Sequence, residues 1–203
     1  MGQIYKSIYK YTPRLGKIDG GLVEIGSSRP GDDQSTQYLY DLSNLLGISF
    51  ITCDLDHHRV AEINNKGMLA VCSTGEKFLP THESKISIAY LDNFDWNWHP
   101  AAAEDWTLTQ IQEYREKYNV EMTNLMSQSA HVAQAVLIES RSTDNSIIAF
   151  DDTWFDDRWD TYQGKGGAAV PYLISKGYTV LETTDGRNKT YGIILGRFVN
   201  NNN

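Results

Sequence analysis

The stretch VEIGSSRPGDDQST, from Val23 to Thr36, constrains this chain more than any other because of what stands on either side of it. Gly21 to Ile25, apolar apart from Glu24, reads as a short buried strand. Gly26 and Gly31 supply a turn, and Ser35 to Leu46 follows with helical periodicity. A second apolar run, Ile48 to Cys53, ends on Asp54, 23 residues after Gly31. Strand, glycine turn, helix and acid-ended strand together predict an α/β sheet. Such sheets hold nucleosides in this way: a backbone free of side chains admits the ligand, and the later carboxylate bonds the ribose hydroxyls.

The alternation continues down the chain. Short helices are expected at His58–Asn64 and in the turn TGEKFL (Thr74 to Leu79), with strands at Met68–Cys72 and Ile86–Leu91. Leu108–Lys117 and Met122–Ser140 carry helical periodicity, Ser146–Phe150 reads as a fifth strand, and Val170–Lys176 as a helix stopped by Gly177. Tyr178–Thr183 and Thr190–Leu195 are strands joined through Asp185-Gly186, a hairpin signal. Residues 1–203 are expected to form one domain, long enough for a full core.

Composition excludes several partners. The net charge is −8 and Lys and Arg form no cluster, which argues against a nucleic-acid surface. No apolar run approaches the ~18 residues of a membrane span, and the N-terminal segment is too polar for a secretory signal. A cytoplasmic location is expected, with Cys53 and Cys72 as small buried thiols. Self-association into a homo-oligomer is left open.

Acids recur at the strand ends: Asp54, Asp92, and the pair Asp151 and Asp152. In open α/β sheets this edge is where ligands bind. Carboxylates gathered in a cleft repel one another unless protons or a cation neutralise them, and hard oxygen donors suit Mg²⁺. The Gly-rich segment Gln163 to Gly167 lacks phosphate-loop spacing and reads as a turn or flexible gate; Lys165 within it could meet a charged acceptor.

With these segments in hand, the chain resembles class I S-adenosylmethionine (SAM)-dependent methyltransferases. Glu24-Ile25-Gly26 is similar to their E-x-G loop, whereas the three-glycine pattern of NAD-binding folds is absent from Gly26 to Gly31. YLDNFDW (Tyr90 to Trp96) and IIAFDDTW (Ile147 to Trp154) resemble the signatures of metal-dependent O-methyltransferases of the catechol and macrolide-sugar type. The resemblance spans roughly Leu22 to Thr153. It implies a Rossmann-like domain with a mostly parallel seven-stranded sheet, a terminal antiparallel hairpin and a helical insertion after strand 4. It implies cofactor contacts at Glu24, Gly26, Ser28, Gly31, Ser35, Asp54, Ser73, Gly75, Glu76 and Asp92, and a Mg²⁺ site at Asp92, Asp151 and Asp152.

The chain departs from that pattern in two places. Three residues after the strand-4 aspartate the family carries lysine or histidine as general base; here the position is Asp95, leaving Asp95, His99 and His131 as candidates. Asp92 and Asp151 also stand 59 residues apart, more than one helix and two turns require. The excess, about residues 93–121, is aromatic at its start and is expected to form a lid. Every tryptophan falls after strand 4 (Trp96, Trp98, Trp106) or strand 5 (Trp154, Trp159), and Trp96, Trp98 and Trp154 are read as the acceptor wall.

The expected function is methyl transfer from SAM to a hydroxyl of a small molecule such as a sugar, polyol or catechol, with a divalent ion. The rivals are a non-catalytic SAM-binding member of the fold and a nucleotide-dependent oxidoreductase. Nucleic-acid methylation is disfavoured by charge and by the lack of an N-P-P-Y-like segment after strand 4.

Overall fold

Strand β1 (Gly21–Ile25) is buried along its whole length, which places it at the middle of a sheet rather than at an edge. The computed structural model describes residues 4–29, 34–98, 105–184 and 191–199. Before β1 come a short helix α1 (Ile4–Ser7) and a 3-10 turn over Ile8–Leu15. After it follow α2 (Ser35–Leu46), β2 (Phe50–Asp54), α3 (His57–Asn65), β3 (Ala70–Cys72), α4 (Gly75–Phe78) and β4 (Ile86–Leu91). The second half comprises α5 (Asp105–Tyr118), α6 (Asn124–Glu139), β5 (Ser142–Asp151), β6 (Thr153–Asp156), β7 (Thr161–Gly164), α7 (Ala169–Ser175), β8 (Thr179–Thr183) and β9 (Gly192–Arg197).

Seven strands form one sheet in the order β3-β2-β1-β4-β5-β9-β8. β1 is parallel to both β2 and β4, with Val23 opposite Ile51 and Ala89, and β4 is parallel to β5. β9 runs antiparallel between β5 and β8. The expected mostly parallel sheet closed by an antiparallel hairpin is therefore present; its Asp185-Gly186 turn lies outside the described residues. Strand order reverses between β1 and β4, and such a switch point opens a crevice beyond the carboxyl ends of the strands.

Side-chain alternation separates two cores. On one face Val23, Ile25, Ala89, Leu91, Ile148 and Phe150 pack against residues of α4, α6 and α7. On the other, Leu22, Ile88, Tyr90, Ile147 and Ala149 meet α1, α2 and α3. The N-terminal segment is tied to the far edge of the sheet, where Ser7, Lys10 and Tyr11 all bond Glu182 of β8.

Two features differ from the sequence expectation. Residues 153–164, to which the sequence assigns no strand, form the β6–β7 hairpin, with Trp154 opposite Gln163 and Phe155 opposite Tyr162. Of the two thiols expected to be buried, Cys53 is buried, but Cys72 is exposed because β3 is an edge strand that ends there. Among the described residues, no helix is long and apolar enough to cross a membrane.

Candidate active site

The turn after β1 is shaped by one glycine. Gly26 sits at φ 87°, and a β-carbon there would lie 2.5 Å from the Asn93 backbone nitrogen, so the chain can pass the end of β4 only without a side chain. Asp54 then locks the turn: its Oδ2 accepts from the Ser27 amide at 2.9 Å and the Ser27 hydroxyl at 2.8 Å, and its Oδ1 from the Asp56 amide at 2.8 Å. The Ser28 amide donates to Thr36 Oγ1 at 2.9 Å. Glu24 is fully buried behind the cleft wall and accepts from the Ser35 hydroxyl at 2.7 Å. Burial pushes its carboxyl up to about 7, against the opposing pull of that hydrogen bond. Ser73, Gly75 and Glu76 line the same cleft from the β3–α4 corner, Glu76 held by Gln134 of α6.

At the ends of β4 and β5 the structure brings Asp92, Asp151 and Asp152 together, each with an oxygen within 4.8 Å of the others, as the sequence predicts. A cation already stands among them. Lys165 Nζ lies 2.8 Å from Asp92 Oδ1 and 3.0 Å from Asp152 Oδ2, and only 4% of its side chain is exposed. Burial alone would lower its pKa, but Asp152, Asp92 and Asp151 outweigh this and hold it well above the usual lysine value. Asp151 is nearly buried, with Oδ1 lacking any hydrogen-bond partner; burial first, then Asp92 and Asp152, push it far above the carboxylate range.

The glycines beside Lys165 explain how it gets there. Gly164 has φ 86°, and a β-carbon on it would overlap the Asp152 carbonyl oxygen. The Lys165 amide donates to that carbonyl at 3.0 Å and the Gly166 amide to Thr153 Oγ1 at 2.8 Å. The turn is thus pressed onto the end of β5 and buried, not a flexible gate. Divalent ions bind carboxylates at ~2.0–2.6 Å, so an ion on Asp92 and Asp152 would sit against the ammonium. As folded, the set does not fit a divalent ion and Lys165 together.

Asp95 lines the cleft and pairs with Arg29 at 3.1 Å. His131 does not line the cleft: it is fully buried between α6 and β5, 6.1 Å from the Phe150 ring, its Nδ1 2.7 Å from the Ser127 carbonyl. Burial lowers its pKa to about 3, which leaves a weak proton acceptor in a closed site. That placement argues against His131 as base. His99 and Gly31 lie outside the described residues, as does the Trp106 side chain.

Trp98 stacks on Trp154 with centroids 5.2 Å apart, and Tyr191 packs on both at 4.7 and 4.8 Å. Trp98 and Tyr191 face the cleft; Trp154 backs them, with Trp96 edge-on to it at 6.3 Å. From the insertion, Gln110, Glu113, Tyr114 and Lys117 of α5 close the opposite side. Asn97 and Asn124 exchange two 2.8 Å hydrogen bonds that fasten the insertion to the start of α6. Phe94 (φ 62°) and Asp152 (φ 44°), both on the cleft, hold left-handed backbone that non-glycine residues rarely adopt. The cleft has a volume of about 1350 Å³, beyond the ~300–1,000 Å³ common for a single ligand.

Sequence reasoning left the role of Lys165 open and did not find Tyr191. Lys165 is 73 residues from Asp92, and only the hairpin brings them together. Tyr191 sits beside the unread hairpin at the start of β9; no local signal marks it.

No protein-family model and no curated protein matches the sequence at a significant level. Solved structures match along nearly the whole chain. A TDP-rhamnose 3′-O-methyltransferase of calicheamicin biosynthesis superposes with TM-score 0.53 at 13% identity, covering 95% of this chain and 77% of its own. An S-adenosylmethionine-dependent methyltransferase from Clostridium acetobutylicum gives 0.53 at 8% identity, covering 96% and 90%. An rRNA methylase from Streptococcus thermophilus gives 0.51 at 13%, covering 95% and 96%. The fold is that of the class I SAM-dependent methyltransferases; at such identities the likeness concerns architecture, not acceptor.

Proposed function

We propose that this protein transfers a methyl group from SAM to a hydroxyl of a small molecule. The observation that carries the proposal is a single cleft at the switch point with two chemically distinct ends. One end holds the bare Gly26 turn with Asp54, Ser73 and Glu76; the other holds Asp92, Asp152, Lys165 and an aromatic wall. The groups at the first end suit a nucleoside: carboxylates that accept from ribose hydroxyls and a side-chain-free backbone for close approach. Glu24 shapes that end from behind by holding Ser35.

SAM held at the first end would supply an electrophilic methyl, its C–S electron pair remaining on sulfur as the methyl passes to the acceptor oxygen. The protein's part is alignment and proton removal. Asp95, on the cleft wall beside Asp92, takes the hydroxyl proton. Trp98 and Tyr191 offer flat faces for a ring-bearing acceptor, and α5 excludes water over the site. The volume accommodates cofactor and acceptor side by side.

The test is transfer of labelled methyl from SAM in a panel of sugars, polyols, catechols and an RNA control. Small hydroxyl compounds labelled in preference to RNA agree with the proposal. Labelled RNA alone would replace it with nucleic-acid methylation.

A further inference from the structure

We infer that the ammonium of Lys165 is the resident cation of the acidic cluster and stands where Asp92, Asp151 and Asp152 would otherwise gather a divalent ion. Four observations lead there. Its Nζ contacts two of the three carboxylates that would otherwise ligate an ion. The lysine is buried in a turn whose glycines allow no side chain in its place against β5. The backbone of the same turn is bonded to Asp152 and Thr153, which anchors the base of the lysine side chain beside the carboxylates. Lys165 also lines the cleft between Asp92 and Asp152, where an acceptor oxygen would meet it.

An ammonium can do part of what a divalent ion does. It offers three N–H donors and a unit charge. Two are directed toward Asp92 and Asp152, which leaves donor capacity for an acceptor oxygen. A hydrogen bond from the ammonium to that oxygen stabilises negative charge as the proton leaves for Asp95 and orients the lone pair toward the methyl carbon. A single positive charge acidifies a hydroxyl less than Mg²⁺ does, which gives the carboxylate at position 95 a larger share of deprotonation. The ammonium's contact with an acceptor hydroxyl rests on the O-methyl transfer proposed above, whereas its occupation of the cation position does not.

Manganese separates the possibilities. Titration of the full chain with Mn²⁺, followed by loss of the free-ion electron paramagnetic resonance signal, should reveal no saturable one-per-chain site in the wild type. Mg²⁺ and Mn²⁺ should leave its melting temperature unchanged. In Lys165→Ala the three carboxylates are released, and Mn²⁺ should bind at least tenfold more tightly than to the wild type and raise the melting temperature. Asp151→Asn added to Lys165→Ala should abolish that gain. A saturable wild-type Mn²⁺ site that disappears in Asp151→Asn would overturn the inference, and this holds even if Lys165→Ala does not fold. Methyl transfer that survives chelation supports the wider role; transfer abolished by chelation and restored by Mg²⁺ contradicts it. Failure to transfer methyl to any acceptor would sink the proposed function while leaving the Mn²⁺ result to decide the cation.

Discussion

On the β1–β3 side of the cleft, polar groups find partners close in sequence or on adjacent strands: Asp54 with Ser27 and Asp56, Ser28 with Thr36, Glu24 with Ser35. On the β4–β5 side, Lys165 reaches back 73 residues to Asp92, Asp151 keeps an unpartnered buried oxygen, and Phe94 and Asp152 hold left-handed backbone. The first side is encoded locally, by residues close in sequence or on adjacent strands. The second is assembled from distant segments, and its buried charges and backbone strain persist only because the surrounding fold fixes them. Stability should therefore be lost most readily on the second side, and cofactor affinity on the first.

The largest effect is expected at Lys165. Its removal leaves Asp92 and Asp152 without their cation, and breaking a buried ion pair on one side costs about 3–5 kcal/mol. Lys165→Ala should lower unfolding free energy in urea by that order; a change below about 1 kcal/mol would mean that the cluster is neutralised by other means.

Glu24 ranks next, and its effect depends on pH. Its folded-state pKa, about 7, is above the ordinary 4.5, so the native state binds more protons than the unfolded chain between those values. Its stabilising contribution is full below pH ~4.5 and is lost as pH rises toward about 7, a change of roughly 3 kcal/mol. Asp151 titrates upward too, and His131 downward, so the difference from a variant is what isolates Glu24. Between pH 4.5 and 8 the wild type should lose about 3 kcal/mol relative to Glu24→Gln. Parallel curves would place an ionised carboxylate behind the turn.

Two tryptophans give the smaller effects. Trp98→Ala should cut acceptor turnover several-fold and leave SAM affinity nearly unchanged. Trp159, 74% exposed between β6 and β7, should tolerate Ala within about 0.5 kcal/mol of stability. Equal loss of SAM binding and stability in Trp98→Ala would identify the ring as core packing instead.

What could be read from the sequence follows the same division. The β1-turn-α2-β2 unit is contiguous, so Gly26 and Asp54 were legible from spacing, and the period-2 strands carried Asp92, Asp151 and Asp152 to one edge. Burial of Glu24 was not legible, because facing the cleft or the core depends on how Ser35 packs back on β1. The role of Lys165 was hidden too: its glycines resemble a loop signal, and only the β6–β7 hairpin shows that they press a lysine into an acidic cluster. Thr153 to Gly164 contains strand-forming Thr, Trp, Phe and Tyr, but its acid-rich middle, Asp156 to Asp160, reads as loop.

Isothermal titration with SAM tests the central claim, that the β1–β3 end of this cleft is a cofactor cradle, most directly. The wild type should bind one SAM per chain, and Asp54→Ala, which removes both a charge-assisted bond to ribose and the acceptor that locks the Ser27 turn, should weaken binding by about 1–3 kcal/mol, while Trp98→Ala binds as the wild type does. No heat of binding with SAM or its demethylated product in the folded wild type, or undiminished affinity in Asp54→Ala, would contradict the account.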